Sequence, residues 1–314
     1  MAFRELRGIE KELYLNAKIE QLRKLYLKAQ KNLAQRLKKI DLTDFQKART
    51  EAILKEINQE IMALNRQCYK WTKTAIPYGY ERGIDLAAER LKALGVTRFI
   101  KQDAQIHTSA VGILVDDINI DLITANQTMK NNFNRFIRKT QQRILEDKAI
   151  SKAIAEGVIE GETRNAVSDR ILNELGKKMK NEQFITINGR NYRPSSYSEL
   201  LARTRTREAT TQGTINTALY YRMDLVQLDA HLEICSYCQQ FSGRIYSISG
   251  NHPDFPMLKE KPPFHPNCRC VLLPITEESI KERGYYDNLV KLSNSPLTKV
   301  DSFSRFEDLI LEGV

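Results

Sequence analysis

The sequence predicts a mainly α protein with a C-terminal α+β module, in which long N-terminal helices precede a small antiparallel sheet. Three observations lead there. Apolar residues recur at three- and four-residue steps through most of the first 150 positions, which is the period of one helix face. An Asn-Gly pair between short alternating runs then marks a change to strand grammar at residues 184–192. Four of the five cysteines finally fall in a single stretch, Cys235 to Cys270, on the turns between short strand candidates.

The first helix is the clearest. Ile19, Leu22, Leu25, Ala29, Leu33, Leu37 and Ile40 line one apolar stripe, with Lys and Arg on the other faces. Thr43-Asp-Phe-Gln46 then fits a capping box for a second helix, whose stripe continues through Ile53, Ile57, Ile61, Leu64, Cys68, Trp71 and Ala75. Ile76-Pro77-Tyr-Gly79 is expected to break it, because proline lacks the amide hydrogen a helix interior needs. A shorter helix follows to about Leu94 and closes at Gly95, the residue type favoured just past a helix end. Cys68, on the stripe beside Trp71, reads as a core thiol.

From about Thr108 to Ala155 there is no proline and a single glycine, Gly112, so one long helix or a kinked pair is expected, with Ile113, Ile120, Leu122, Ile123, Phe133, Phe136, Ile137 and Ile144 on its apolar positions. Another helix is expected over about 164–175. Phe184 to Ile187 and Arg190 to Tyr192, joined by Asn188-Gly189, read as a hairpin. Ser196-Tyr-Ser-Glu199 fits a capping box for a helix through about Tyr221, and strands are expected at Leu225–Leu228, Arg244–Ile248 and Cys270–Pro274.

Cys235-Ser-Tyr-Cys238 brings two sulfurs to one point, and His265-Pro-Asn-Cys268-Arg-Cys270 returns a second set after 29 residues, 239 to 267. That spacing predicts a structural zinc knuckle. Four ligands close such a site, yet Cys235, Cys238, His265, Cys268 and Cys270 offer five, with His231 and His252 near in sequence. The plainer alternatives are unmetallated thiols or disulfides. Charged residues follow Met1 with no signal-peptide pattern, which points to a reducing cytosol and against stable disulfides. A redox CxxC would need a βαβ setting that the surrounding residues do not supply.

Mean hydropathy is −0.47, and no run approaches the roughly 20 apolar residues that span a bilayer, so a soluble chain without membrane contact is expected. The net charge of +10 is unevenly placed. Residues 1–50 hold 13 Lys/Arg against 6 Asp/Glu, while residues 301–314 carry a net −3. A basic helical arm of this kind can release counterions from duplex DNA. Lys24, Lys28, Lys31, Lys38 and Lys39 are its candidate phosphate contacts, against the plainer reading that they solvate helix faces.

Taken in order, Tyr197 to Thr204, the Thr/Asn-rich run through Asn216, Asp224-Leu-Val226, Cys235-Ser-Tyr-Cys238, Gly243 to Tyr246 and the hexapeptide His265 to Cys270 resemble the phage Mu F-like head-morphogenesis proteins and related phage minor capsid proteins. The resemblance covers roughly residues 150–276; Leu228 departs from it where an aromatic residue is frequent. It implies a virion protein of low copy number, in the capsid interior or at the portal vertex after assembly in the host cytoplasm. The implied partners are the portal protein, a capsid or scaffold protein, and the double-stranded genome. It also suggests residues 1–150 as a helical arm and domain, 151–283 as the head-morphogenesis module with the Cys/His cluster, and 284–314 as a tail. Relatives carry Cys or His at the last position of the hexapeptide, which favours Cys270 over Cys268 if only one is a ligand. Arg203, inside the matching string, is implied to tie its helix to the sheet or the cysteine loop.

The rival classes are an ADP-ribosyltransferase-like enzyme and a zinc-knuckle nucleic-acid-binding regulator. No Glu-x-Glu follows the strands, no Gly-rich phosphate loop, HExxH or HxE…PCxxC pattern is present, and no base-reading helix accompanies the knuckle. The expectation is a structural head protein with no catalytic residues.

Overall fold

The computed structural model describes residues 6, 8–38, 47–96, 104–146, 185–187, 190–229, 235–282 and 284–297. In order these form α1 (Ile9–Lys38), α2 (Lys47–Ala93), α3 (Ala104–Glu146), β1 (Ile185–Ile187), β2 (Arg190–Tyr192), α4 (Pro194–Tyr220), β3 (Leu225–Asp229), the one-turn α5 (Ser236–Gln239), β4 (Ile245–Ser247), β5 (Val271–Pro274), α6 (Glu277–Glu282) and α7 (Tyr286–Asn294). The expected capping box at Thr43, the helix over about 164–175, and the residues Ile40, Lys39 and His231 lie outside the described residues. The chain divides into two compact units, one of Met1–Ile19, Trp71–Ile118 and Leu200–Val314, the other of Glu20–Lys70 and Asn119–Glu199.

The second unit is helical with one hairpin. Leu22, Tyr26, Ala29 and Leu33 of α1, Ile57, Ile61, Leu64 and Cys68 of α2, and Leu122, Ala125, Met129 and Ile137 of α3 are its buried stripes, stepping by three or four except for the eight residues, two such steps, from Met129 to Ile137. Polar pairs set the helices in register: Asn32 Nδ2 donates to Glu60 Oε1 at 2.7 Å and Asn126 Nδ2 to Asn65 Oδ1 at 2.6 Å. Cys68 is the core thiol expected, and burial pushes its pKa up to about 11. β1 and β2 pair antiparallel with Ile187 opposite Arg190, the register a two-residue connection allows.

On α3 the expectation holds in part: Leu122 and Ile137 are buried as expected, and the side chains of Phe136 and Ile144 lie outside the described residues. Ile113, Ile120 and Ile123 are 64%, 63% and 54% exposed, while Val115, Ile118, Leu122, Ala125 and Met129 form the buried seam. Isoleucines are abundant on this helix, so residue type alone does not distinguish its two faces.

In the first unit, α2 runs unbroken through Pro77, contrary to the expected break. A proline in a helix interior costs about 3 kcal/mol, and packing on both sides offsets it: Trp71, Ala75, Ile76 and Tyr80 are buried. The glycines that follow are contact residues rather than breakers. A Cβ on Gly83 would lie 1.9 Å from the Thr210 carbonyl oxygen of α4, and one on Gly213 of α4 would lie 2.2 Å from the Tyr80 carbonyl oxygen. Close approach lets Thr210 Oγ1 donate to the Gly79 carbonyl at 3.0 Å and Thr214 Oγ1 to that of Gly83 at 3.1 Å. At its end α2 closes on Gly95, φ +79°, where Val96 N donates to Leu91 O at 3.0 Å and Gly95 N to Lys92 O at 3.1 Å, the paired bonds of a Schellman motif.

α4 begins at Pro194, two residues before the expected capping serine. Proline at the first helical position loses nothing, since its missing N–H would have no intrahelical partner. The helix leads into a three-stranded antiparallel sheet in the order β4-β3-β5. Register places Val226 opposite Tyr246 and Pro274, and Leu228 opposite Leu272, so alternation gives the sheet two faces. Val226, Leu228 and Leu272 join Ile215 and Ala218 of α4, Phe241, Phe264 and the cysteines in one core. Leu225 and Ile245 look the other way, onto Phe255, Ile275, Ile280 and α7.

Candidate metal centre

Two turns bring the cysteines together. Cys235 caps α5, its sulfur accepting from Cys238 N at 3.4 Å, and this single helical turn places both sulfurs on one side. The second turn is made by His265-Pro266-Asn267-Cys268, with Cys268 N donating to the His265 carbonyl at 3.1 Å and Asn267 at φ +64°. Proline second and a positive φ third is the pattern of a type II turn, and asparagine is one of the few residues with a side chain that tolerates that conformation. Cys270 follows at the entry to β5 and is fully buried. Phe241 stacks on Phe264 at 4.3 Å and 10°, closing one side of the cluster.

All five sequence-predicted ligand residues converge. His265 Nε2 lies 3.2 Å from Cys235 Sγ and 3.0 Å from Cys238 Sγ, and Cys238 Sγ lies 3.8 Å from Cys268 Sγ. Cys235, Cys238 and His265 form one trio, and Cys238, Cys268 and Cys270 another, each with its ligand atoms within 4.8 Å of one another. Cys238 is the common vertex, and the cluster could hold a metal ion. His252 does not join it: its Nδ1 accepts from Asp254 N and Phe255 N at 3.2 and 3.3 Å, and its Nε2 lies 3.8 Å from Glu277.

The donor chemistry fits a thiophilic divalent ion. Bonds of ~2.3 Å to sulfur put neighbouring sulfurs about 3.8 Å apart across a tetrahedron, the Cys238–Cys268 separation. All five cysteines are free thiols. His265 is oriented for ligation, because its Nδ1 lies 2.8 Å from the Pro266 carbonyl. A carbonyl only accepts, so Nδ1 carries the proton and Nε2 turns its lone pair to the sulfurs. Hydrogen bonds from Cys238 and Cys270, then the backbone at Phe264 and Cys270, hold the Cys268 thiol down to about 2. Its hydrogen bonds with Cys268 and Cys270, then burial, push Cys238 far up. For Cys270 the Cys238 hydrogen bond acts downward, but the bond to Cys268 and burial outweigh it and push the thiol up to about 12.

The candidate phosphate contacts are placed only in part. Lys24, Lys28 and Lys31 are exposed on α1 at i, i+4 and i+7, one face of the helix. Lys38 ends α1, its side chain outside the described residues, as is Lys39. Arg203 is half-buried in α4. The arginine that ties elements together most visibly is one the sequence reading passed over. Arg244 is buried and donates to the carbonyls of Gln240 at 2.6 Å, Ser293 at 3.3 Å and Ser295 at 2.6 Å, fastening the end of α7 to β4. Its only sequence signal is its place in Gly243-Arg-Ile-Tyr246, beside a glycine at φ +74°.

A family model described as phage minor capsid protein 2 matches residues 12–269. No match is found among curated proteins or among solved structures. The matched span takes in α1 from its fourth residue, the hairpin, the glycine–threonine seam and both cysteine turns, ending one residue short of Cys270. It covers well over half of the 314 residues, and the chain belongs to the phage minor capsid protein 2 family.

Proposed function

We propose that this capsid component is a structural minor head protein acting at the portal vertex during assembly, with a zinc ion stapling its C-terminal module and the basic face of α1 turned to the genome. Family membership supports a phage virion protein, with other capsid components as partners and a structural rather than catalytic role. The observation that carries the zinc reading is the convergence of two cysteine turns on Cys238 in the core shared by α4 and the sheet. There Cys235, Cys238, Cys268, Cys270 and His265 are the residues that would hold zinc, which supplies cross-linking between the turns rather than chemistry on a substrate.

The apolar stripe of α1 is not the attachment surface, since Ile19, Leu22, Ala29 and Leu33 are buried within the chain's own fold. Ile9, Leu13 and Leu27 of α1 are exposed, and so are three of its lysines, Lys24, Lys28 and Lys31. Neutralising these three to Gln should leave incorporation into heads intact, weaken duplex DNA binding, and reduce the log–log salt slope by roughly 0.9 per lost phosphate contact. An unchanged slope would reduce them to solvated charges. The portal assignment is tested by cross-linking mass spectrometry on purified heads: links from this chain to the portal protein are expected, and links confined to the outer capsid lattice would overturn it.

A further inference from the structure

Surface isoleucines are ordinary when scattered, but a row of them at helical spacing marks a contact site. Ile113, Ile120 and Ile123 of α3 are each more than half exposed. Spaced by seven and three, they share one face of the helix, at the period a partner helix reads. The buried side of the same helix runs instead through Val115, Ile118 and Leu122. Asp116 and Asp117 stand on either side of the row between Ile113 and Ile120. Both are exposed, and neither has an ion-pair partner among the described residues. The row is thus apolar with acidic flanks, on a chain whose net charge is +10.

A helix that docks on such a face needs apolar side chains seven apart with a cation in the gap. α2 presents that pattern. Met62 and Tyr69, 50% and 47% exposed, are seven apart, and the exposed Arg66 lies between them. Lys55, seven before Met62, and Lys73, four after Tyr69, extend the same face and are exposed too. Within one chain α2 and α3 meet through other residues, Asn65 and Cys68 with Asn126, so the two exposed rows are not packed on each other. We infer that the Ile113–Ile123 row of one copy docks on the Met62–Tyr69 row of a second copy of this chain, with Asp116 and Asp117 against Arg66. Because the two rows differ, the contact is heterologous, and each copy keeps its other row for a further copy. The inference is independent of the metal and of the genome-facing lysines of α1.

Sedimentation velocity on the full chain over a concentration series tests it. Self-association at micromolar concentrations is expected, since one helix pair buries less than the ~1,600 Å² of a standard interface. Asp116→Lys with Asp117→Lys, and separately Arg66→Glu, should each weaken association by more than about tenfold, because like charges then face each other. An equimolar mixture of the two variants should recover the parent's association, since every mixed contact pairs opposite charges, and that recovery also shows both variants to be folded. Variants that associate as the parent does would place the contact elsewhere and overturn the inference. So would a parent chain that stays monomeric up to about 1 mM; if the Asp116 and Asp117 reversal then still blocked incorporation into heads, the occupant of the α3 face would be another capsid component rather than a second copy.

Discussion

Asn267 holds the second cysteine turn in a backbone conformation that few side chains accept, at φ +64° with Cys268 N bonded to the His265 carbonyl. A β-branched residue there should cost about 1–2 kcal/mol, and glycine should be tolerated. Thermal unfolding of zinc-loaded Asn267→Val and Asn267→Gly checks this, and equal loss in both would show that the side-chain amide, not the backbone, is what the turn requires. Asp224 anchors the loop after β4 in a similar local way. Partial burial acts to raise its pKa, but Ser247 Oγ at 2.5 Å and Ser249 N at 2.7 Å donate to the carboxylate and lower it below the ordinary value. A lowered folded-state pKa contributes stability that is full above the unfolded value, ~3.9, and is lost as pH falls through the folded one. Asp224→Asn should therefore lose stability at neutral pH and show a shallower acid transition below about pH 4. An acid profile identical to the parent would mean the loop does not depend on this charge. The cysteines and His265 were legible in the sequence because CxxC and HPNCRC are local patterns whose geometry their own residues set. Arg244 was not, because what it grips, the carbonyls near residues 293–295, is distant in sequence.

Among the helices, the seam between α2 and α4 depends on residues with no side chain. Gly83→Ala would put a Cβ 1.9 Å from the Thr210 carbonyl oxygen, a backbone contact that cannot swing away, so a loss at or above the ~1–3 kcal/mol typical of overpacking is expected. Gly112→Ala in α3 meets nothing within 4 Å and should instead gain roughly 0.5–1 kcal/mol from helix propensity. Chemical denaturation of the two variants checks both signs, and a Gly83→Ala protein as stable as the parent would contradict the packing described for this seam. The same residues show why the sequence misleads at Pro77-Tyr-Gly79. Proline and glycine read as a break when only local preference is weighed, and Thr206, Thr210 and Thr214, which make those glycines useful, lie some 130 positions away. On α3 the error is of another kind: Ile113, Ile120 and Ile123 satisfy an apolar count as Leu122 does, but they are exposed, whereas Val115 and Ile118, not among the expected positions, are buried beside Leu122 on the helix.

For the whole molecule, the family and the fold class were legible because both rest on patterns spread along the chain: helix periodicity, the Asn-Gly hairpin and the ordered string from Tyr197 to Cys270. The Cys/His cluster is the point at which sequence and fold meet, since Cys238, Cys268 and Cys270 are core residues of the sheet module and also belong to the group that could hold a metal ion. Removing a structural ion should therefore unfold that core rather than empty a peripheral site. The most direct measurement is the zinc content of the purified full-length chain, followed by thermal unfolding before and after chelation. About one zinc per chain, with a lower melting temperature and newly reactive thiols once it is removed, is the predicted result. Less than about 0.2 zinc per chain, in a protein whose native fold leaves the cluster's thiols freely titratable, would contradict it.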